Sequence, residues 1–263
     1  MTIRTTELMN FRNCALRWHN EHGEGGKIQP PSAAMIEGTR AHDELYEHLL
    51  SGRWEYVPKH LHFMPQYFDI APDNVEVELS LQFDGVTLMG HADLVTVADI
   101  AYVMDFKTYA PPDDDFQLQT YCLMLIMQHN LREAWAWFGS IRLGYYKPYK
   151  YSFDELQLHY YRLKFLVERL LHYKRENNWP ASIGPHCDNC NFAGSCLKRQ
   201  LAAAPTGFDS PESAAEFKQL YKAAKKQDDA ATDVIKSHLL ENGLGEWEHG
   251  GKKYSVTTSN TLR

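Results

Sequence analysis

The sequence predicts a mixed α/β core followed by a smaller appendage of one helix and a β-hairpin. Three observations carry this. Helical-period segments and β-rich runs follow one another as helix, strands, helix, strands, helix over residues 5–177. A segment with three cysteines closes that series, and beyond it the composition shifts to a charged helix over 212–241 and the hairpin-like run GEWEHGGKKYSVTTSN. The 263 residues are 44% hydrophobic and include 15 Tyr, 12 Phe and 6 Trp, enough to bury a core and to exclude disorder for most of the length.

The elements read in order. Residues 5–20 form a short helix capped by Thr5 or Thr6, with Leu8, Phe11 and Ala15 on one face. Gly, Pro and Ser mark residues 21–35 as a loop, after which helix runs from near Ile36 to a stop at Gly52. A Pro-containing connector leads to VEVELSLQF, VTLMGHADLVTVA and IAYVMDFKTY, three strands. Asp84-Gly85 between the first two is a hairpin signal, so that pair is antiparallel. QLQTYCLMLIMQHN is a strongly apolar helix, and AWAWFGSIRL and KPYKYSF are two more strands. Asp154 opens an amphipathic helix to about Asn177, with Leu156, Tyr160, Leu163, Leu166, Leu170 and Tyr173 on one side. The terminal hairpin turns at Gly250-Gly251. The expected domains are 1–200 and 201–263.

No run reaches the roughly 18 apolar residues of a membrane span, and MTIRTTELMNFRNC lacks the apolar stretch of a signal peptide. The expected location is therefore cytoplasmic, where thiols stay reduced. Five cysteines, three of them within ten positions, then point to metal binding before disulfides. A net charge of -7 counts against a nonspecific nucleic-acid binder. An acidic loop such as Asp113-Asp114-Asp115 and a carboxylate cluster can nevertheless conceal a local basic groove.

The chemistry concentrates in Gly90-His91-Ala92-Asp93, Asp105-Phe106-Lys107 and Gln117-x-x-x-Tyr121. Alternate residues of a strand share a face, so Asp105 and Lys107 project together, and Asp93 reaches the same point if its strand is the neighbour. Carboxylates suit Mg²⁺ or Mn²⁺. A lysine beside such an ion can orient or deprotonate water and offset phosphate charge. Gln117 and Tyr121 are four apart on a helix and meet on one face. His42 is a further candidate ligand, since imidazole accepts Mn²⁺ readily. Taken singly, Asp-x-Lys is usually a solvated strand face and a lone histidine is seldom a ligand. The order of the set raises its weight: helix with Gly-Thr-x-x-His, strand with Gly-x-x-Asp, strand with Asp-x-Lys, helix with Gln-x-x-x-Tyr.

That ordered set resembles the PD-(D/E)xK nuclease superfamily in its RecB-type branch, over roughly residues 5–200. The resemblance implies a restriction-endonuclease-like core, a central mixed sheet flanked by helices. It implies Asp93, Asp105, Lys107, Gln117 and Tyr121 as catalytic residues. The metal shell would comprise His42, Asp93, Asp105 and the Phe106 carbonyl.

Cys187-x-x-Cys190-x5-Cys196 supplies three thiolates, with Cys14 far upstream as a fourth and Cys122 read as a small core residue. Spacing alone leaves a [4Fe–4S] cluster and zinc even. The pattern resembles the iron–sulfur staple of CRISPR-adaptation exonucleases and of AddAB-type helicase–nucleases, which implies a structural [4Fe–4S] cluster on Cys14, Cys187, Cys190 and Cys196. Phe11-Arg12-Asn13-Cys14 and Pro185-His186 are then expected around it.

Arg142, Lys147 and Lys150 alternate with Tyr145, Tyr146, Tyr149 and Tyr151, either a path for single-stranded nucleic acid or an ordinary amphipathic strand pair. Lys218, Lys222, Lys225 and Lys226 read as a solvated helix face, and the tail resembles the C-terminal extension of lambda-type recombination exonucleases.

The expectation is a Mg²⁺- or Mn²⁺-dependent DNA exonuclease of phage or bacterial recombination and repair, favouring 5′→3′ action on single-stranded or end-resected DNA. Its expected partners are DNA and a single-strand-annealing, helicase or integrase protein. A ring-forming homo-oligomer would explain processivity. The alternatives are a CRISPR spacer-processing nuclease and, from another class, a non-catalytic DNA-binding module stapled by zinc.

Overall fold

The computed structural model describes residues 1–23, 26, 33–83, 85–110, 112–188, 190–196, 233, 237, 239, 246–249 and 252–255. Two compact units divide the chain: Met1–Arg12 with Glu21–Asn177, and Asn13–Asn20 with Asn178–Arg263.

The first unit is built on a six-stranded mixed sheet. Its strands are β1 (Thr2–Arg4), β2 (Val75–Phe83), β3 (Val86–Val97), β4 (Ala101–Lys107), β5 (Glu133–Ser140) and β6 (Tyr146–Ser152). The order is β1-β3-β4-β5-β6, with β2 paired to β3. β2–β3, β3–β4 and β5–β6 are antiparallel, whereas β1–β3 and β4–β5 are parallel. The antiparallel β2–β3 pair agrees with the expected hairpin. Gly85 takes the left-handed conformation there, at φ +75°, and Asp84 lies outside the described residues. β1 is a strand the sequence reading did not contain. Three residues are too few to show a period, and its pairing comes from β3, eighty-odd residues away.

The helices are α1 (Thr5–Asn13), α2 (Ala15–His22), α3 (Ala33–Leu50), α4 (Phe116–His129) and α5 (Phe153–Glu176); α2 falls mainly in the second unit, and the others accompany the sheet in the first. The single helix expected over 5–20 is broken at Cys14, between α1 and α2. The Pro-containing connector after α3 is a series of four short 3-10 turns. α3 is followed by Gly52 at φ +68°, as its stop signal predicts. α4 buries residues on every side, from Phe116 to Ile126, because it packs on both the sheet and α5. α5 begins one residue before the expected Asp154. Ser152 caps it, accepting from the Glu155 N–H while the Glu155 side chain takes the Ser152 N–H. Leu156, Leu163, Leu166, Leu170 and Tyr173 face inward as expected, and Tyr160 is half-buried.

One face of β4 carries Tyr102, Met104 and Phe106. These pack with Leu45, Tyr46 and Leu49 of α3 and with Leu61, Met64 and Phe68 of the 3-10 turns. The opposite face presents Val103, Asp105 and Lys107 toward α4. The candidate site lies where these two layers meet the end of β4.

In the second unit, Leu16 N–H donates to the Pro180 carbonyl, and Trp179 packs on Trp18 and stacks on His19. Strands β7 (Glu246–His249) and β8 (Lys252–Ser255) form the expected antiparallel hairpin. Gly250-Gly251, Lys218, Lys222, Lys225, Lys226 and most of the 212–241 helix lie outside the described residues.

Candidate active site

The site is a fork between β3 and β4. Their ladder runs from Val97–Ala101 to Leu94–Met104 and ends there. One step further, Asp93 and Asp105 occupy facing positions, and the next backbone donor, Phe106 N–H, is taken by the Asp93 carboxylate instead of a strand carbonyl. A charged side chain thus replaces a ladder bond and anchors Asp93 at the opening. Its other oxygen accepts from the Tyr46 hydroxyl at 2.7 Å, and His42 Nδ1 stands 3.7 Å away. His42 and Tyr46 are four apart on α3 and so reach the fork together.

Lys107 Nζ lies 2.6 Å from Asp105 Oδ2 and donates to Gln117 Oε1 at 2.9 Å. Gln117 Nε2 in turn donates to the Tyr121 hydroxyl at 2.8 Å. The i, i+4 spacing on α4 therefore does what the sequence predicts. Tyr121 lies against Gly90, where an added Cβ would stand 2.3 Å from Tyr121 Cε1 and 3.1 Å from Thr5 Oγ1. The glycine at the head of Gly-His-Ala-Asp is needed for this close approach of ring to strand.

Burial and charge tune the group. Burial pushes the Asp105 carboxyl up to about 6; Lys107 pulls it back and Asp93 pushes it further. Burial opposes protonation of His42, but the Asp93 carboxylate outweighs it and raises the imidazole above its usual range. Burial, with the charge of Asp93, holds the Tyr46 hydroxyl far above the phenol range. Burial also raises Tyr121.

All six residues of the predicted set, His42, Asp93, Asp105, Lys107, Gln117 and Tyr121, thus come together in the first unit. Two participants were not in it. Tyr46 carried a signal, its i+4 spacing from His42. Glu76 carried none, because VEVEL reads as a strand with a solvated acidic face. Yet Glu76 has φ +54°, and one donor atom each from His42, Glu76 and Asp93 lie within 4.8 Å of one another.

The cysteines come together in the second unit. Cys14, Cys187, Cys190 and Cys196 line one cavity with Ser182 and His186, and Ser182 N–H points at Cys14 Sγ at 3.4 Å. Cys122 is a buried core thiol, as expected. Phe11 packs on Tyr173, and Arg12 pairs with Asp114 and lies over Phe116.

The basic and aromatic segment divides. Tyr145 and Tyr146 are exposed, but Tyr151 is buried and donates to Asp115 at 2.8 Å. Arg142 pairs with Glu37 at 2.8 Å and Lys150 with Glu133 at 2.9 Å, while Lys147 lies over the Tyr149 ring. No helix among the described residues is long and apolar enough to cross a membrane.

Comparison with known proteins gives the same frame. A stretch of 66 residues is 35% identical to Gene 69 protein of Mycobacterium phage D29, and the match spans about a quarter of that curated relative's length. Among solved structures, a candidate exonuclease from Eubacterium rectale superposes with a TM-score of 0.50 at 12% identity, over 74% of this chain and 87% of that one. LHK-Exo in complex with dAMP gives 0.41 at 12% identity, over 66% and 92%. The family model of the PD-(D/E)XK nuclease superfamily matches residues 44–197, a stretch containing the β3–β4 fork, Lys107 and the Gln117–Tyr121 face of α4. The chain belongs to the PD-(D/E)XK nuclease superfamily.

Proposed function

We propose that the protein is a divalent-cation-dependent DNA nuclease acting as an exonuclease. The observation that carries this reading is the fork. It sets two carboxylates face to face, places a lysine 2.6 Å from one of them, and ties that lysine to Gln117 and Tyr121. The donors suit a hard cation. Asp105 Oδ2 is buried, with the Lys107 ammonium 2.6 Å away as its charged neighbour. A hard cation at the fork would add the oxygen-ligand partner that two facing carboxylates suit.

Asp93 and Asp105 would hold Mg²⁺ or Mn²⁺, with His42 and the Phe106 carbonyl as further donors. The cation supplies Lewis-acid activation and charge compensation at the phosphate. Lys107 orients the attacking water and offsets phosphate charge. Gln117 holds the ammonium in place, and Tyr121 fixes the direction of the Gln117 amide. Water adds to phosphorus, one P–O ester bond breaks, and the departing oxygen leaves with a proton. Asp105→Ala or Lys107→Ala should abolish Mg²⁺- or Mn²⁺-dependent degradation of linear DNA while the fold survives; unchanged activity in both variants contradicts the reading. The sequence resemblance extends the proposal to 5′→3′ action in recombination or repair, testable with DNA labelled at either end.

The four cysteines are assigned to a [4Fe–4S] cluster within this reading. Their common cavity supports it, as does the Ser182 N–H directed at Cys14 Sγ. Freshly purified anaerobic protein should be brown, with absorbance near about 400 nm. A colourless protein containing zinc would replace that assignment with the zinc alternative.

A further inference from the structure

Resting on the nuclease reading above, we propose that the turn joining β5 to β6 is a platform for unpaired nucleotides. Bases stack on Tyr109 and Tyr145 while Arg142 and Lys147 take the flanking phosphates, so the strand presented to the fork is single. The turn is bonded directly to the strand that carries Lys107. Ile141 N–H donates to the Lys107 carbonyl at 2.8 Å, and Arg142 N–H donates to the Thr108 carbonyl at 3.1 Å. Tyr109 is the next residue of the chain. A nucleotide seated on this turn therefore lies beside the lysine of the fork.

The platform is preformed. Leu143 N–H donates to Ser140 Oγ and Ser140 N–H to the Tyr145 carbonyl, both at 2.9 Å, and Gly144 supplies a left-handed angle of φ +67°. On the α3 side, Arg142 pairs with Glu37 at 2.8 Å. Gly38 packs on Thr108, where an added Cβ would stand 3.3 Å from Thr108 Oγ1. The turn is closed internally and braced by α3, so its rings are placed before a ligand arrives and little ordering is left to oppose binding.

The side chains on the turn fit a single strand better than a duplex. Tyr109, Leu143 and Tyr145 are exposed, by 56%, 55% and 43%. Among the described residues no ring packs on Tyr109 or Tyr145, whereas Tyr146 lies 4.5 Å from Phe63 and Tyr149 stacks on Tyr151. A base offers its face to such a ring only when unpaired, because a duplex hides base faces in its stack and presents phosphates. Cations are few here. Asp105, Phe138 and Lys147 are in register across β4, β5 and β6, with Lys107 Nζ 5.5 Å from the Phe138 ring, so Lys147 lies on the sheet face of Lys107. The Arg142–Glu37 pair is partly exposed and contributes little, which leaves the guanidinium free to exchange Glu37 for a phosphate. In a chain of net charge -7, two cations hold a duplex poorly, and stacking needs no charge.

Fluorescence anisotropy of a labelled single strand of about 12 nucleotides, titrated with the full chain in chelator to prevent hydrolysis, tests the platform. Wild type should bind it about tenfold or more tightly than a blunt hairpin duplex of the same length. Tyr109→Ala and Tyr145→Ala should each weaken binding about tenfold, and Tyr145→Phe by under about twofold, since a phenyl ring still stacks. Tyr161→Ala, which removes an exposed ring on α5, should change nothing. With two phosphates neutralised, log affinity should fall against log salt with a slope of about 1.4. The platform is overturned by a duplex bound as tightly as the single strand, or by wild-type affinity in both alanine variants. Tyr145→Phe as damaging as Tyr145→Ala, or a salt slope beyond about 4, would also overturn it. The nuclease reading fails separately: a wild-type chain that shows this binding pattern yet leaves linear DNA intact in Mn²⁺ contradicts that reading and leaves the platform standing.

Discussion

Asp105→Asn should stabilise the metal-free fold at pH 8 while destroying the enzyme. The folded carboxyl sits at about 6 against an ordinary value of 3.8, with burial as the main cause. A raised acid stabilises the fold fully only below its unfolded pKa, and that contribution is lost as pH rises through the folded one. The wild-type penalty is therefore small near pH 4, grows between pH 4 and 6, and is complete above. A gap of about 2 pK units corresponds to roughly 3 kcal/mol. The pull of Lys107 is already contained in the raised value. At about 2–4 °C per kcal/mol for a domain of this size, the variant should melt roughly 6–12 °C above wild type at pH 8. The advantage should shrink to under about 1 kcal/mol near pH 4. Circular dichroism melts in chelator across that pH range measure both. With cation at a hundredfold over its dissociation constant, wild type should regain about 2.7 kcal/mol and the variant little. A variant less stable than wild type at pH 8, or equally favoured at pH 4 and pH 8, would refute the reasoning.

Three more outcomes follow from the same geometry. Gly90→Ala should cost about 1–3 kcal/mol in urea unfolding, because its methyl meets the buried Tyr121 ring. Tyr46→Phe removes a buried hydrogen bond to a carboxylate and should cost about 1–3 kcal/mol in chelator, read from the same unfolding curves. Cys14→Ala should lower iron content and melting temperature without changing any residue of the fork; normal values of both would remove Cys14 from the cluster.

Much of the fold was legible because its signals are local. Period-two runs marked β2 to β6, the Asp-Gly pair marked the hairpin, and apolar period marked α4 and α5. β1 was not legible, since three residues gain strand character only from a distant partner. The break at Cys14 was hidden too, because the apolar face of α1 continues into Ala15 while the helix itself stops. In the site, motif order found the six residues of the fork. It missed Glu76, whose placement depends on one left-handed backbone angle that no sequence period encodes. It left Arg142 and Lys150 open between a nucleic-acid path and an ordinary strand pair, and each has an acidic partner in the fold, Glu37 and Glu133. Pairing across a fold is decided by topology, and composition cannot show it.

The central claim is that the Asp93–Asp105–Lys107 fork hydrolyses DNA with a divalent cation. Its most direct measurement is end-labelled linear DNA incubated with wild type and Lys107→Ala, in Mn²⁺ and in chelator. The account predicts progressive loss of DNA only for wild type with Mn²⁺, with both proteins equally folded by circular dichroism. DNA degraded equally by Lys107→Ala, or by wild type in chelator, would contradict it.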